Sequence, residues 1–459
     1  MVACSGAEGS VADDGTTHAE AGATTGSSGG PSSGWNVASS SGGEGDGESD
    51  GVSEADGSGE ASSGDTTGAS AECPHPLYPG LDLCALPGDG GGACGAYESP
   101  ALPTTTRTVT IQSTGAQAAT DLIAACETPG TAVDVPNGAG RIGVVTLGGF
   151  EDCDITLGLD VTVDALVFGL QPGPTPLPST RIRVRGGKIG SVSSNANSSD
   201  LVLDGVMIDN GALPLAERGG SGVVLHGDGD DGVERFAVVN SIVRAVDAPP
   251  DENGATHGIA YLGARARDVL FANNNIVTVG NLNSWGFRVG GGCNTLIVDN
   301  TTRVSFHKLV RINDADTDYV YIRGGTWMRE ATVSPFGGEI NDSFKELNGD
   351  WSTDNVYIHD TAVYLLSGQP VTFGAAANEG NVGHLWEARG IEWHVVDESV
   401  ISDAGLEDRE ASCTPGALCD YGIGTHTYAY DPALSFPTDA WRELPELPVS
   451  DPDMLPLAR

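Results

Sequence analysis

Between residues 180 and 395 the chain repeats one short pattern: apolar, any, apolar, any, then Asn, Gly or Asp, then two residues and another apolar one. Ile182, Val184, Gly186 and Ile189 fit it, as do Leu201, Leu203, Gly205 and Ile208. Phe236, Val238, Asn240, Val243 and then Val269, Phe271, Asn273, Ile276 follow. Val320, Ile322, Gly324, Trp327 and Val356, Ile358, Asp360, Val363 continue the series. Leu296, Val298 and Asn300 join it with the last apolar residue one place late, at Val304; Trp386, Ala388, Gly390 and Trp393 fit loosely. Second short strands lie between many of these units: GVVLHG (222–227), GIAYLG (258–263), GFRVGG (286–291), LVRIN (309–313) and PVTFGA (370–375). Period-two alternation marks strands. The Asn/Gly/Asp positions recur at intervals of 19 to 36 residues with no long helix between them, which is a solenoid signal. The pattern predicts an all-β fold, a right-handed single-stranded parallel β-helix. The asparagine row at 273–275 then falls at a turn between sheets, where Asn, Gly and Asp tolerate left-handed backbone angles. Asparagines stacked there in successive coils can hydrogen-bond along the solenoid.

The rest of the chain divides around this body. Residues 117–138 carry a helical pattern with Leu122, Ile123 and Cys126 on one side, stopped by Pro129-Gly130 and followed by a strand, TAVDV. A short helical cap on the β-structure is expected, within a body spanning 107–400. Residues 5–72 are Gly, Ser, Ala, Thr, Asp and Glu with almost nothing apolar and no Lys or Arg; the first basic residue of either type is Arg107. Such a segment cannot offset its ordering entropy by burial and reads as a disordered linker. Residues 73–106 hold Cys73, Cys84 and Cys94 in a Pro/Gly-rich stretch, read as a small disulfide-stapled neck, with His75 as a candidate metal ligand. Residues 401–459 form a Pro-rich tail with Cys413 and Cys419.

Composition narrows the partners. A formal net charge of −41 argues against nucleic acid and for an extracellular type of surface. No stretch approaches 18 consecutive apolar residues. Of nine cysteines, removing Cys4 leaves an even number without a repeated C-x-x-C, so disulfides in an oxidising compartment are expected rather than zinc, with connectivity open. The start, MVACSG, resembles the end of a bacterial lipoprotein signal, small residues followed by a cysteine. That resemblance implies a lipid anchor on Cys4 at the bacterial surface or outer membrane, touching membrane only through that lipid; a secreted protein is the other reading, and a monomer is expected in either case.

The cap helix with TPGTAVDVPNG and the repeated strand–Asn–strand units resemble the pectate-lyase-like superfamily of right-handed parallel β-helix proteins. The resemblance covers most of the chain after residue 107. It implies the fold; the superfamily holds lyases, glycosidases, epimerases, esterases and non-catalytic adhesins, so it leaves the activity open.

Sixteen of the 22 basic residues lie between Arg181 and Lys345, a concentration that nominates an anion-binding face in so acidic a chain. Aligning GFRVG with LVRIN puts Arg288 and Arg311 at one outward position of neighbouring coils, and NDSFKELNG places Lys345 on the next. His307 and Lys308 open the strand of Arg311. An acidic polysaccharide suits such groups. β-Elimination needs the uronate carboxylate neutralised, the C5 proton removed and the leaving oxygen protonated. Cations serve the first step, a lysine with a lowered pKa the second, a histidine or tyrosine the third. Lys345 is similar to the strand-borne lysine of β-helix lyases of the chondroitinase B and alginate lyase type. Those carry an arginine one coil later, where this alignment gives Thr372. The candidates are thus Lys345, Arg311 and His307 for catalysis and Arg288 and Lys308 for binding; a non-catalytic glycan-binding protein, adhesin or structural rod is the alternative. Glycoside hydrolysis ranks lower, because no paired carboxylates sit in a strand motif. Asp228, Asp230, Asp231 and Glu234 in HGDGDDGVE are candidate Ca²⁺ ligands.

Overall fold

A computed structural model describes residues 73–440, apart from 89, 93, 170–176, 195–196, 213, 215–222, 226–231, 247–259, 263–265, 280–285, 305–308, 331–341, 347–352, 367–371, 375–385 and 397–426. The described residues are mostly β, with one α-helix among them, α1 (Ala116–Cys126). Outside two small antiparallel hairpins in the neck, every strand belongs to one sheet paired in parallel, an arrangement consistent with a parallel β solenoid. Three ladders run through it. The first includes Ser198–Asp204, Val233–Val239, Ala266–Ala272 and Thr353–His359; the second includes Met207–Asp209, Ile242–Val246, Asn275–Val279 and Thr301–Val304. The third includes Val192–Ser194, Val223–Leu225, Ala260–Leu262 and Asp342–Glu346. Phe287–Val298 and Val310–Arg323 each run from the third ladder into the first.

Alternation fills the interior. Ile155, Val184, Leu203, Val238, Phe271, Ile297, Ile322 and Ile358 face one another in register, and all are at most 1% exposed. Aromatic rings bridge coils inside, with Phe271 and Phe287 edge to face at 5.2 Å and Phe287 to Trp327 at 5.9 Å. Each such side chain contributes roughly 1.5–3 kcal/mol by burial. The helix α1 buries Ala118, Leu122 and Cys126 against the first coils, and Cys126 is disulfide-bonded to Cys153.

The turn between the first and second ladders is where the asparagines sit. Gly186, Gly205, Asn240, Asn273, Asp299, Gly324, Asp360 and Gly390 all have positive φ, between 52° and 68°. Asn273 Nδ2 donates to Asn240 Oδ1 at 2.7 Å, and Asn240 Nδ2 to Asp204 Oδ1 at 3.0 Å. One residue on, Asn274 and Asn300 are fully buried and form an inner ladder. Asn300 Oδ1 accepts from the backbone N–H and from Nδ2 of Asn274 at 3.0 and 2.9 Å, while Asn300 Nδ2 donates to the Phe271 carbonyl at 2.9 Å. Asn274 Oδ1 accepts from the Ser241 N–H at 2.9 Å. On the next coil glycine is required, because a Cβ at Gly325 would lie 2.1 Å from the Asn300 carbonyl oxygen.

One register differs from the sequence alignment. Asp299, not Asn300, holds the left-handed turn, so Ile297 points inward while Leu296 and Val298 lie on the outer face. The outer face of the first ladder is itself apolar here, so both faces of the strand read as apolar and alternation loses its phase. The neck causes this. Leu77, Tyr78, Leu81, Leu83, Leu86 and Tyr97 pack on Ala237, Val239, Leu270, Ala272, Leu296, Val298, Tyr321 and Tyr357 as a second core. Cys73 is bonded to Cys84, and Cys94 to Cys293. The second bond spans 199 residues and stabilises by on the order of 5 kcal/mol in the chain-entropy account. Residues 1–72, with Cys4, and the tail beyond 440, lie outside the described residues, as do Cys413 and Cys419.

Asn300→Ala is expected to cost the full chain about 2–4 kcal/mol, because it strands the Asn274 N–H and the Phe271 carbonyl in the interior. Asn273→Gly, at the partly exposed outer position, is expected to stay within about 1 kcal/mol of wild type. Urea unfolding of both variants checks the contrast; equal losses would contradict it.

Candidate functional site

The third ladder carries the sequence-derived site. Phe287 and Val289 are buried inward, and Arg288 between them is partly buried on the other side of the strand. The backbone register pairs Arg288 with Arg311, and Arg311 with Lys345, on successive coils. Tyr261 precedes them in the same column, opposite Arg288. GIAYLG aligns with GFRVGG in the sequence too, but an uncharged tyrosine does not stand out there as the arginines do. One coil after Lys345 the partner is Gly374, because the register shifts between Asp342 and Phe344 and Thr372 pairs with Asp342. The expected Thr372 alignment is corrected by that irregularity; neither residue is an arginine. For Arg311 and Lys345 the described structure is the backbone alone, and His307 and Lys308 lie outside the described residues.

The calcium candidates Asp228, Asp230 and Asp231 also lie outside the described residues. Glu234, next to them, is paired with Arg235 at 3.2 Å. Two other acidic side chains are engaged in the structure: Asp209 pairs with Arg244 at 3.4 Å and Asp318 accepts from Asn355 Nδ2 at 2.9 Å.

His75 is not arranged as a metal ligand. It is fully buried, its Nδ1 accepts from the Leu77 N–H at 3.1 Å, and its Nε2 lies 3.1 Å from the Tyr97 hydroxyl. An accepting Nδ1 assigns the proton to Nε2, so both ring nitrogens are used and the ring is neutral. Burial lowers its pKa to about 4, and burial together with the Asp268 charge raises that of Tyr97. Cys73, Asp82 and Cys84 lie close together, but both sulfurs are in the disulfide and offer no thiolate. Asp82 Oδ1 instead accepts the N–H groups of Cys73 and Cys84, each at 3.0 Å.

The other two faces are engaged. The neck covers part of the first, and on the second Thr301 donates to the Ala440 carbonyl at 2.7 Å and Phe436 meets Tyr364 edge to face. No family model matches the chain, and neither the curated proteins nor the solved structures searched contain a match. Among the described residues no helix is long and apolar enough to cross a membrane.

The neutral, buried His75 has a definite pH signature. Its folded pKa lies below the unfolded value of 6.5, so the unfolded chain takes up a proton first as pH falls. Its contribution is fully present above pH 6.5 and is lost on descending to about 4. Between pH 7 and 5 the wild type is expected to lose about 2 kcal/mol more unfolding free energy than His75→Gln. Urea titrations of both at the two pH values measure the difference; identical losses would mean that His75 is not held neutral.

Proposed function

We propose that this chain is a right-handed parallel β-helix of the pectate-lyase-like kind that binds an acidic polysaccharide along its third face. The parallel ladders and the strong right-handed preference of crossover connections support the fold. One observation carries the ligand: Arg288, Arg311 and Lys345 share one register column on three successive coils in a chain of net charge −41. Coils stack at about 4.8 Å, so the column offers cationic positions at the scale of successive sugar units. The disulfides favour an exported protein, either held at the surface by lipid on Cys4 or secreted.

In the catalytic reading the reaction is β-elimination. Arg288 and Arg311 hold the uronate carboxylate and take up the charge that grows on it as the C5 proton leaves. Lys345 accepts that proton, and His307 or Tyr261 returns one to the leaving glycosidic oxygen. Lys308 adds a further cationic charge for the polyanion. The binding-module reading keeps the same column without turnover, and the missing arginine after Lys345 favours it.

A panel of soluble polyuronates and sulfated uronate glycans separates the two, read by binding and by ultraviolet absorbance of an unsaturated product. For a lyase, Lys345→Ala abolishes turnover and leaves binding nearly intact, since it removes a group needed in the transition state. Arg311→Ala or Arg288→Ala weakens binding by about tenfold or more, the scale of one charge-assisted hydrogen bond. Binding without product assigns the non-catalytic reading. Absence of binding to every polyanion, or binding unchanged in all three variants, overturns the column as a site.

A further inference from the structure

Residues 97–106 form neither helix nor strand, yet within them the N–H groups at 98, 101 and 104, every third position, bond aspartate side chains of the coils. Glu98 N–H bonds Asp268 Oδ1 at 3.2 Å, Ala101 N–H bonds Asp200 Oδ1 at 2.9 Å, and Thr104 N–H bonds Asp152 Oδ1 at 3.1 Å. The acceptors belong to one column of left-handed residues, Asp152, Arg181, Asp200, Arg235 and Asp268, on five successive coils. Three residues of the segment therefore pass two coils. A polyproline-type chain turns once in three residues and rises about 3.1 Å per residue, roughly 9.3 Å in all. Two coils at about 4.8 Å make roughly 9.6 Å. Pro100 and Pro103, which have no N–H, occupy positions that do not donate. The arginines between the acceptors brace them: Arg181 pairs with Asp152 at 2.8 Å and Arg235 with Asp200 at 2.7 Å.

The contacts continue beyond this stretch in the same sense. Gly92 N–H bonds Asn294, the Tyr319 hydroxyl bonds the Pro87 carbonyl, and Arg323 bonds the Gly80 carbonyl. Cys94–Cys293 makes one of these joints covalent. In a solenoid each coil touches only its neighbours, so coils can open separately from an end or a weak point. We propose that the neck is a clasp, matched in repeat to the coils it crosses, that makes the coils from Asp152 to Arg323 open as one unit. The proposal is independent of the glycan reading and uses none of its residues.

Hydrogen exchange by mass spectrometry on the full chain tests it. In wild type the first-ladder amides at 201–204, 236–239, 269–272 and 320–322 are expected to share one opening free energy. Ala101→Pro deletes one donor between two existing prolines, and Cys94→Ser with Cys293→Ser deletes the covalent joint. Each is expected to split the shared protection, with losses of about tenfold or more in the crossed coils and little change at 392–395. The apolar core that the neck shares with the coils extends to Tyr357, short of 392–395. Protection lost only within 74–104 would make the neck a passenger and overturn the clasp. Protection unchanged in both variants, equal loss at 392–395, or coil-by-coil exchange already in wild type would overturn it too. Should the double cysteine variant fail to fold, Ala101→Pro decides alone, because it retains the disulfide.

Discussion

Stacking coils at the spacing of paired strands imposes one constraint on everything else: each coil must turn at the same place as the coil before it. A turn repeated in register buries backbone groups that water cannot reach, and those groups need partners supplied by the stack itself. Asn274 and Asn300 meet that need, since an amide both donates and accepts and so can be joined above and below. The outer residue of the same turn must adopt left-handed angles, which confines it to Asn, Asp and Gly through eight coils. The apolar interior supplies most of the driving force, and the turn ladder fixes its register.

A second column of left-handed residues, on the other side of the first ladder, does different work. It contains Arg181, Arg235 and Tyr319, residue types that pay more in backbone strain than asparagine does. Their side chains are engaged: the arginines by Asp152 and Asp200, the tyrosine by the Pro87 carbonyl. Hydrogen bonding from Arg181 holds the Asp152 carboxyl below its ordinary range, so Asp152 stays charged and able to receive the Thr104 N–H at neutral pH, whereas burial pushes the Asp268 carboxyl up. The neck thus covers part of the first face, and the third-ladder column at Arg288 lies on a different one.

The repeat, the cap helix and the turn role of Asn273 were legible because each depends on local rules: alternation, a Pro-Gly stop and tolerance of positive φ. The neck was not. Its sequence is short of long apolar runs, and its partners lie about two hundred residues away, so nothing local announced a second core or the pairing of Cys94 with Cys293. That same cover made Leu296 and Val298 look like interior residues and moved one unit out of register. His75 looked like a ligand for a related reason: a histidine among cysteines suggests metal until its two nitrogens are seen to be occupied. The basic column was legible as a spacing, and the backbone register reproduces it for Arg288, Arg311 and Lys345. Tyr261 was missed because an uncharged residue in a short strand carries no signal of its own.

The neck and the coils share one register, and a single covalent bond reports it. Non-reducing peptide mapping after cleavage before aspartate separates Cys84 from Cys94 at Asp89 and frees the Cys293 peptide at Asp268. A peptide bearing Cys94 linked to one bearing Cys293 is expected, alongside Cys126 linked to Cys153. Cys94 joined to Cys73 or Cys84, with Cys293 elsewhere, would contradict it.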